Sequence, residues 1–177
     1  ALWTPQGRSF ADATTDKIVI PDAASLDITG GLTLEAWVNL NSLTGTHFII
    51  NKWETNSSDK AFLFYVTTSQ IEFVIRDATN TVEVALDSAV GSLVINTWAH
   101  CVGVHSGSTM YIFKNSVQDP TTATIGAGRA SANELRLGNY LTTSSLNGKM
   151  GEVRIYSRAL SPLEISRNYL STKWRYR

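Results

Sequence analysis

Acidic side chains on a predicted strand are the residues of this sequence that could cleave a glycosidic bond. Retaining glycosidases hold two carboxyl groups about 5–5.5 Å apart. The best-spaced pair here is Glu83 and Asp87, with Ala85 midway between them. Four residues of regular strand span roughly 13 Å, and the odd separation of Glu72 and Asp77 puts them on opposite faces of a strand. The spacing favours a solvated strand face, so a glycoside hydrolase is the least favoured function.

Motifs of other enzyme classes are missing from the sequence. It has no His-Glu-x-x-His, no Cys-x-x-Cys, no Walker loop and no Gly-x-Ser-x-Gly elbow. The single cysteine, Cys101, lies in an apolar run, which predicts a buried thiol. The histidines His47, His100 and His105 lack the spacing to acidic partners that a metal site needs. We therefore predict that the chain is not an enzyme.

One polar loop contains the aromatic side chain best placed to bind a ligand. Sugars stack an apolar face on an exposed aromatic ring, while amides and carboxylates bind their hydroxyl groups. Trp53 is flanked by Glu54, Asn56 and Asp59 and has few apolar neighbours in sequence to bury it. We therefore expect Trp53 to be exposed and to bind ligand together with these three residues.

Two further loops have a similar composition. Arg76 and Asp77 begin one of them, and Asn139 and Tyr140 belong to the other. We expect these four residues to contribute to ligand binding as well.

The composition is that of one globular domain. With 177 residues, 43% hydrophobic and 17% charged, the chain fits a single domain over residues 1–177. Fifteen basic residues balance fifteen acidic ones, and this balance argues against nucleic acid as a partner. No stretch approaches the roughly 18–20 apolar residues of a membrane span, so we expect no membrane insertion. Residues 1–5 lack the basic and apolar segments of a signal peptide.

Alternation of apolar and polar residues predicts antiparallel strands along most of the chain. Leu34, Ala36 and Val38 share one face of a strand and are expected to point into the core. Ten strands are predicted, at residues 17–20, 32–40, 47–52, 61–67, 70–77, 81–86, 97–105, 110–114, 134–138 and 149–156. This number exceeds what one flat sheet usually carries, so we expect an all-β sandwich of two packed sheets.

One short helix is predicted after the last strand. Ser161 and Glu164 form a capping box, with Pro162 at the first helical position. Leu160 and Ile165 are placed to form a hydrophobic staple. We expect a helix over 162–170 that covers the sandwich and has no role in binding.

Three segments resemble a known family. Residues 10–40 contain "IPDAASLD" followed by "LTLEAWVNL", residues 96–114 read "NTWAHCVGVHSGSTMYIFK", and residues 135–169 contain "LNGKMGEVRIYSRALSPLEI". In this order they resemble the laminin G-like domains of the concanavalin A-like lectin/glucanase superfamily. The resemblance covers most of the chain and implies a jelly roll of two antiparallel sheets.

The resemblance also implies a class of function. Such domains are usually modules of extracellular, cell-surface or virion-surface proteins that recognise glycans or protein partners and assemble into something larger. The closing residues, "NYLSTKWRYR", look like the ends of modules in phage structural proteins. Two functions therefore stay open: a carbohydrate-binding or adhesion module, or a virion structural protein such as a capsid decoration or tail element.

The family resemblance implies calcium as the candidate cofactor. Many relatives bind it at the rim of the sandwich, helped by an aspartate directly before the "EVRIY" strand, where this chain has Gly151. Asp12 and Asp16 remain near the first strand. Since calcium takes six to eight oxygen ligands, backbone carbonyls would have to complete the site.

Overall fold

The computed structural model describes residues 3–11, 13, 15–54, 59–89, 91–140 and 144–177. Its strands form two stacked sheets in which all neighbours are antiparallel. In spatial order the seven-stranded sheet contains β1 (Trp3–Thr4), β2 (Gly7–Ala11), β15 (Asn147–Tyr156), β4 (Leu32–Leu40), β9 (Ala99–His105), β10 (Thr109–Lys114) and β11 (Val117–Thr124). The six-stranded sheet contains β3 (Ile18–Ile20), β12 (Leu135–Leu137), β5 (Thr46–Trp53), β6 (Lys60–Thr67), β7 (Gln70–Arg76) and β8 (Glu83–Asp87). The predicted all-β sandwich is confirmed.

The core lies between the two sheets. Leu34, Ala36 and Val38 of β4 point into it and are buried, as the alternation predicted. Phe73 of β7 crosses the layer and packs on Gly103 of β9, where a Cβ would lie 2.8 Å from the Phe73 ring. Glycine at this position therefore allows the two sheets to approach closely.

Strands without a clear alternation were missed in the sequence. They are β1, β2, β11 and the short pair β13 (Asn139–Tyr140) and β14 (Ser144–Ser145). The edge strand β11 is mostly exposed and contains Pro120, a residue that an edge tolerates because its missing N–H faces solvent. Such strands bury too little apolar surface to leave a pattern.

The helix α1 (Pro162–Thr172) begins at the predicted capping box. The Glu164 carboxylate accepts a hydrogen bond from the Ser161 backbone N–H at 2.9 Å, and the Ser161 hydroxyl accepts one from Glu164 N–H at 3.4 Å. Leu160 and Ile165 are buried in one cluster with Val102 and other residues of the outer face of the seven-stranded sheet. The helix thus lies across this outer face, two residues longer than predicted.

Two 3-10 turns lie within the described residues, at Ala24–Leu26 and at Lys173–Arg175 directly after α1. Within the described ranges, no helix is both long and apolar enough to cross a bilayer.

Candidate ligand-binding site

The expectation that Trp53 is exposed is wrong. Trp53 ends β5 and is only 4% exposed. Its ring packs with Phe48, Leu63 and Val74 on the outer face of the six-stranded sheet, and Lys60 Nζ lies 5.2 Å from the ring centroid. The apolar neighbours that bury the ring come from adjacent strands, so local composition could not reveal them.

The acidic neighbours of Trp53 hold the chain together locally. The Glu54 backbone N–H donates to the Asp59 carbonyl at 3.3 Å, and the Glu54 carboxylate lies 3.8 Å from the Arg136 guanidinium. The Asp59 carboxylate accepts a hydrogen bond from Ala132 N–H at 2.9 Å. Asn56 lies outside the described residues. Ligand binding by this segment stays a prediction.

Arg76 and Asp77 stabilise their own turn. The Asp77 carboxylate accepts hydrogen bonds from the Thr79 hydroxyl and from Val82 N–H, the latter at 2.7 Å. These bonds lower the pKa of Asp77 to about 2. Arg76 donates to the Asn80 carbonyl at 2.7 Å. Both side chains therefore have partners within the connection between β7 and β8.

Asn139 and Tyr140 are also engaged within the protein. Asn139 is fully buried, and its Nδ2 donates to the Ser145 hydroxyl at 3.1 Å. The Tyr140 ring stacks on Phe48 with the centroids 4.5 Å apart. Every described member of the predicted ligand set thus has a hydrogen bond or contact within the chain. These internal partners cannot be read from the sequence.

The described residues at the rim do not fit a calcium ion. Asp16 is buried and accepts hydrogen bonds from Ala11 N–H at 2.9 Å and from Arg8 at 3.4 Å. Burial alone would raise the pKa of Asp16, but these bonds and the Arg8 charge lower it. Gly151 offers no side chain, and Asp12 lies outside the described residues. The described part of the chain holds no group of three His, Cys, Asp or Glu side chains suited to a metal.

The buried cysteine and histidines have structural surroundings. Cys101 is fully buried, which raises the pKa of its thiol to about 12. His105 Nδ1 lies 3.1 Å from the Gly30 carbonyl, and His47 Nδ1 accepts from Asn147 N–H at 3.4 Å. The predicted burial of Cys101 is confirmed, and His47 and His105 have partners within the fold.

Strand register creates a carboxylate pair that sequence spacing missed. Glu83 and Asp87 are exposed on β8, whereas Glu72 of β7 lies directly opposite Asp87. Burial and the Asp87 charge raise the pKa of Glu72, although a hydrogen bond with the Tyr65 hydroxyl opposes the shift. A test of hydrolysis should therefore target Glu72 and Asp87, since raised carboxyl pKa values mark acid catalysts.

A cleft lined by aromatic rings opens beside the C-terminal end of α1, on the outer face of the seven-stranded sheet. Its volume is about 220 Å³. Its walls are the rings of Trp37, Trp98, Tyr169 and Tyr176, and its polar groups belong to Asn115, Lys173 and Arg177. We call this the aromatic cleft.

Stacked rings build the wall of the aromatic cleft. Trp37 is buried on the outer face of β4, and its Nε1 donates to the Thr172 hydroxyl at 3.0 Å. The Tyr176 ring stacks on Trp37 at 4.4 Å, and the Trp98 ring lies 4.8 Å from Tyr176. The Tyr169 ring also stacks on Trp37, with the centroids 5.6 Å apart. Trp98 is partly exposed, so its ring is open to a ligand.

Gly151 makes room for the Tyr176 ring. A Cβ at position 151 would lie 2.4 Å from that ring. The Tyr176 hydroxyl accepts a hydrogen bond from Glu152 N–H at 2.8 Å, which fixes the ring against β15. Gly151, which stands where many relatives have an aspartate, is therefore needed for the shape of the aromatic cleft.

A buried polar network lies beneath the aromatic cleft and holds α1 on the sheet. The Glu35 carboxylate lies 2.8 Å from His100 Nε2 and accepts a hydrogen bond from Asn168 Nδ2 at 2.9 Å and one from Arg154 at 3.3 Å. Burial would raise the pKa of Glu35, but these partners lower it. Asn115 joins the network by accepting from His100 N–H at 2.9 Å.

Hydrogen-bond donors of the aromatic cleft are left for a ligand. Trp98 Nε1, Asn115 Nδ2 and Lys173 Nζ have no hydrogen-bond partner within the described ranges. Lys173 Nζ lies 5.6 Å from the Tyr169 ring centroid. Sequence reasoning missed this site because its members come from β4, the residue before β9, a turn and the closing residues.

The fold and its motifs define the class of protein. A family model described as the concanavalin A-like lectin/glucanases superfamily matches residues 12–166. The chain belongs to that family, Laminin_G_3. No curated protein matches this chain.

Solved structures of toxin binding domains share the fold. The botulinum neurotoxin serotype G binding domain is 12% identical, with a TM-score of 0.71 over 92% of this chain and 42% of that one. The serotype D ligand binding domain in complex with N-acetylneuraminic acid is 18% identical, with a TM-score of 0.68 over 90% and 40%. The binding domain of Paraclostridial Mosquitocidal Protein 1 is 13% identical, with a TM-score of 0.71 over 91% and 42%. The chain thus spans about two fifths of these structures, and the likeness concerns the fold.

Proposed function

We propose that this chain is a non-catalytic binding module of an extracellular or surface protein and that it binds a glycan in the aromatic cleft. The observation that carries the proposal is the combination of a partly exposed Trp98 ring with free donors on Asn115 and Lys173. An aromatic ring takes the apolar face of a sugar, and polar donors fix its hydroxyl groups.

The size of the aromatic cleft limits the ligand. Pockets for drug-sized molecules measure roughly 300–1,000 Å³, and this one measures about 220 Å³. It therefore suits one terminal sugar unit, with the rest of the glycan in solvent. The similar solved structures support a binding role, since they are binding domains, and the serotype D domain is in complex with N-acetylneuraminic acid.

Replacement of the exposed tryptophan tests the proposal. A glycan array of the isolated domain should identify ligands. Trp98→Ala should weaken their binding about two- to twelvefold in calorimetric titrations, because the stacking of an aromatic ring contributes about 0.5–1.5 kcal/mol beyond area burial. The matched control is Trp174→Ala, since Trp174 is 65% exposed and does not line the aromatic cleft. Equal affinity of wild type and Trp98→Ala, with both proteins folded, would contradict the proposal.

The non-catalytic part of the proposal has its own test. Incubation with β-glucans should release no reducing sugar. Release that disappears in Glu72→Gln would show that the acidic pair of β7 and β8 is catalytic.

A structural module of a virion or other surface assembly is the second candidate function. Leu163, Leu170 and Trp174 of the closing segment are more than half exposed, and exposed apolar side chains in one segment favour a neighbouring subunit as partner. Light scattering should then show oligomers that Leu170→Gln dissociates. A monomer at all concentrations would favour the glycan-binding module.

A further inference from the structure

The charge of the aromatic cleft points to one class of sugar. Among its lining residues, Lys173 and Arg177 have cationic side chains and none has an acidic side chain. Two acids next to the aromatic cleft are already paired with cations. The Glu152 carboxylate lies 2.7 Å from Arg154 and 3.4 Å from Arg175, and the Glu35 carboxylate beneath the cleft lies 3.3 Å from Arg154. Lys173 and Arg177 have no carboxylate partner within the described residues.

Other lysines of the chain show what an engaged ammonium group looks like. Lys52 is fully buried between Asp22 and Asp27, at 2.7 and 2.8 Å, and Lys114 donates to the Ser92 carbonyl. Lys173, in contrast, rests on the Tyr169 ring with its three N–H donors unused. An ammonium group placed over a ring at the wall of a cleft is available to an anionic ligand without first breaking an ion pair.

We propose that the aromatic cleft selects a sugar that carries a carboxylate, such as a sialic or uronic acid. This inference rests on the proposed glycan binding. The sugar ring would stack on Trp98, and its carboxylate would pair with Lys173 and Arg177, while Asn115 Nδ2 would donate to a hydroxyl group. A charge-assisted hydrogen bond is roughly twice as strong as a neutral one, so the carboxylate would dominate selectivity.

Ligand pairs that differ in the carboxylate test this inference. Sialyllactose should bind at least about tenfold more tightly than lactose, and glucuronic acid more tightly than its amide; the two acids distinguish sialic from uronic acid as the preferred source. Affinity for the acid should fall as salt is raised, since exposed charges are screened.

Matched charge variants complete the test. Lys173→Gln removes the charge but keeps a hydrogen-bond donor, so it should reduce the ratio of the affinity for the acidic sugar to that for the neutral sugar about tenfold. The control is Arg167→Gln, which removes an exposed cation of α1, the helix before Lys173, outside the aromatic cleft. Equal affinities for acidic and neutral sugars, both lost in Trp98→Ala, would overturn this inference and keep the proposed function. Unchanged affinity of Trp98→Ala for both sugars would overturn this inference and the proposed function.

Discussion

At the scale of the residue, tryptophans show how burial depends on neighbours from other strands. Trp53 is surrounded in sequence by polar residues, yet Phe48, Leu63 and Val74 enclose its ring. Trp98 begins an apolar run, yet its ring remains partly open beside Tyr176. Local composition therefore ranks these two side chains in the wrong order.

Truncation of Trp53 should consequently damage the fold. Trp53→Ala removes a buried ring and leaves a cavity in the outer cluster of the six-stranded sheet, so the free energy of unfolding should fall by about 3–5 kcal/mol. Denaturant unfolding measures this change. Trp174→Ala is the control, and its effect should stay within about 0.5 kcal/mol because the ring is exposed. Equal stability of Trp53→Ala and wild type would show that the ring is not part of the core.

At the scale of the element, α1 contributes more than cover for the sandwich. The sequence predicted its start from the capping box, and that prediction is confirmed. Its role was not predictable, because Asn168 meets Glu35 only when strand β4 and the helix lie together. The partners of Glu35 are 65 to 133 residues away along the chain, so no local pattern signals them.

The hydrogen bonds and ion pair of Glu35 should make the free energy of unfolding depend on pH. The pKa of Glu35 is lower in the folded chain than the ordinary 4.5, so the unfolded state binds more protons than the native state in this range. The stabilisation is present above the ordinary pKa and is lost as pH falls below about 4.5. Glu35→Gln should cost about 1–3 kcal/mol at pH 7, and the difference from wild type should shrink in acid. Unfolding curves from pH 7 to pH 3 measure both, and a constant difference across this range would contradict the assignment.

At the scale of the whole molecule, alternation and turn chemistry predicted most of the fold. The inward face of β4 and the two-sheet architecture followed from period-two patterns, which depend on residues two apart. The aromatic cleft and the Glu72–Asp87 pair depend on which strands become neighbours. The order of strands in a sheet is set only when the chain folds, so the sequence alone did not reveal the aromatic cleft or the Glu72–Asp87 pair.

Gly151 of β15 leaves the space in which Tyr176 of the aromatic cleft packs. The Tyr176 ring lies where a side chain at position 151 would be, with a Cβ only 2.4 Å from it. Gly151→Ala should therefore displace Tyr176 from its stack on Trp37, destabilise the fold by about 1–3 kcal/mol through overpacking, and abolish glycan binding. Near-ultraviolet circular dichroism reports the ring stack directly, independent of any ligand. Gly126→Ala is the matched control, because a Cβ there would meet nothing within 4 Å and should change neither the spectrum nor the affinity. An unchanged spectrum in Gly151→Ala would mean that Tyr176 does not occupy this place.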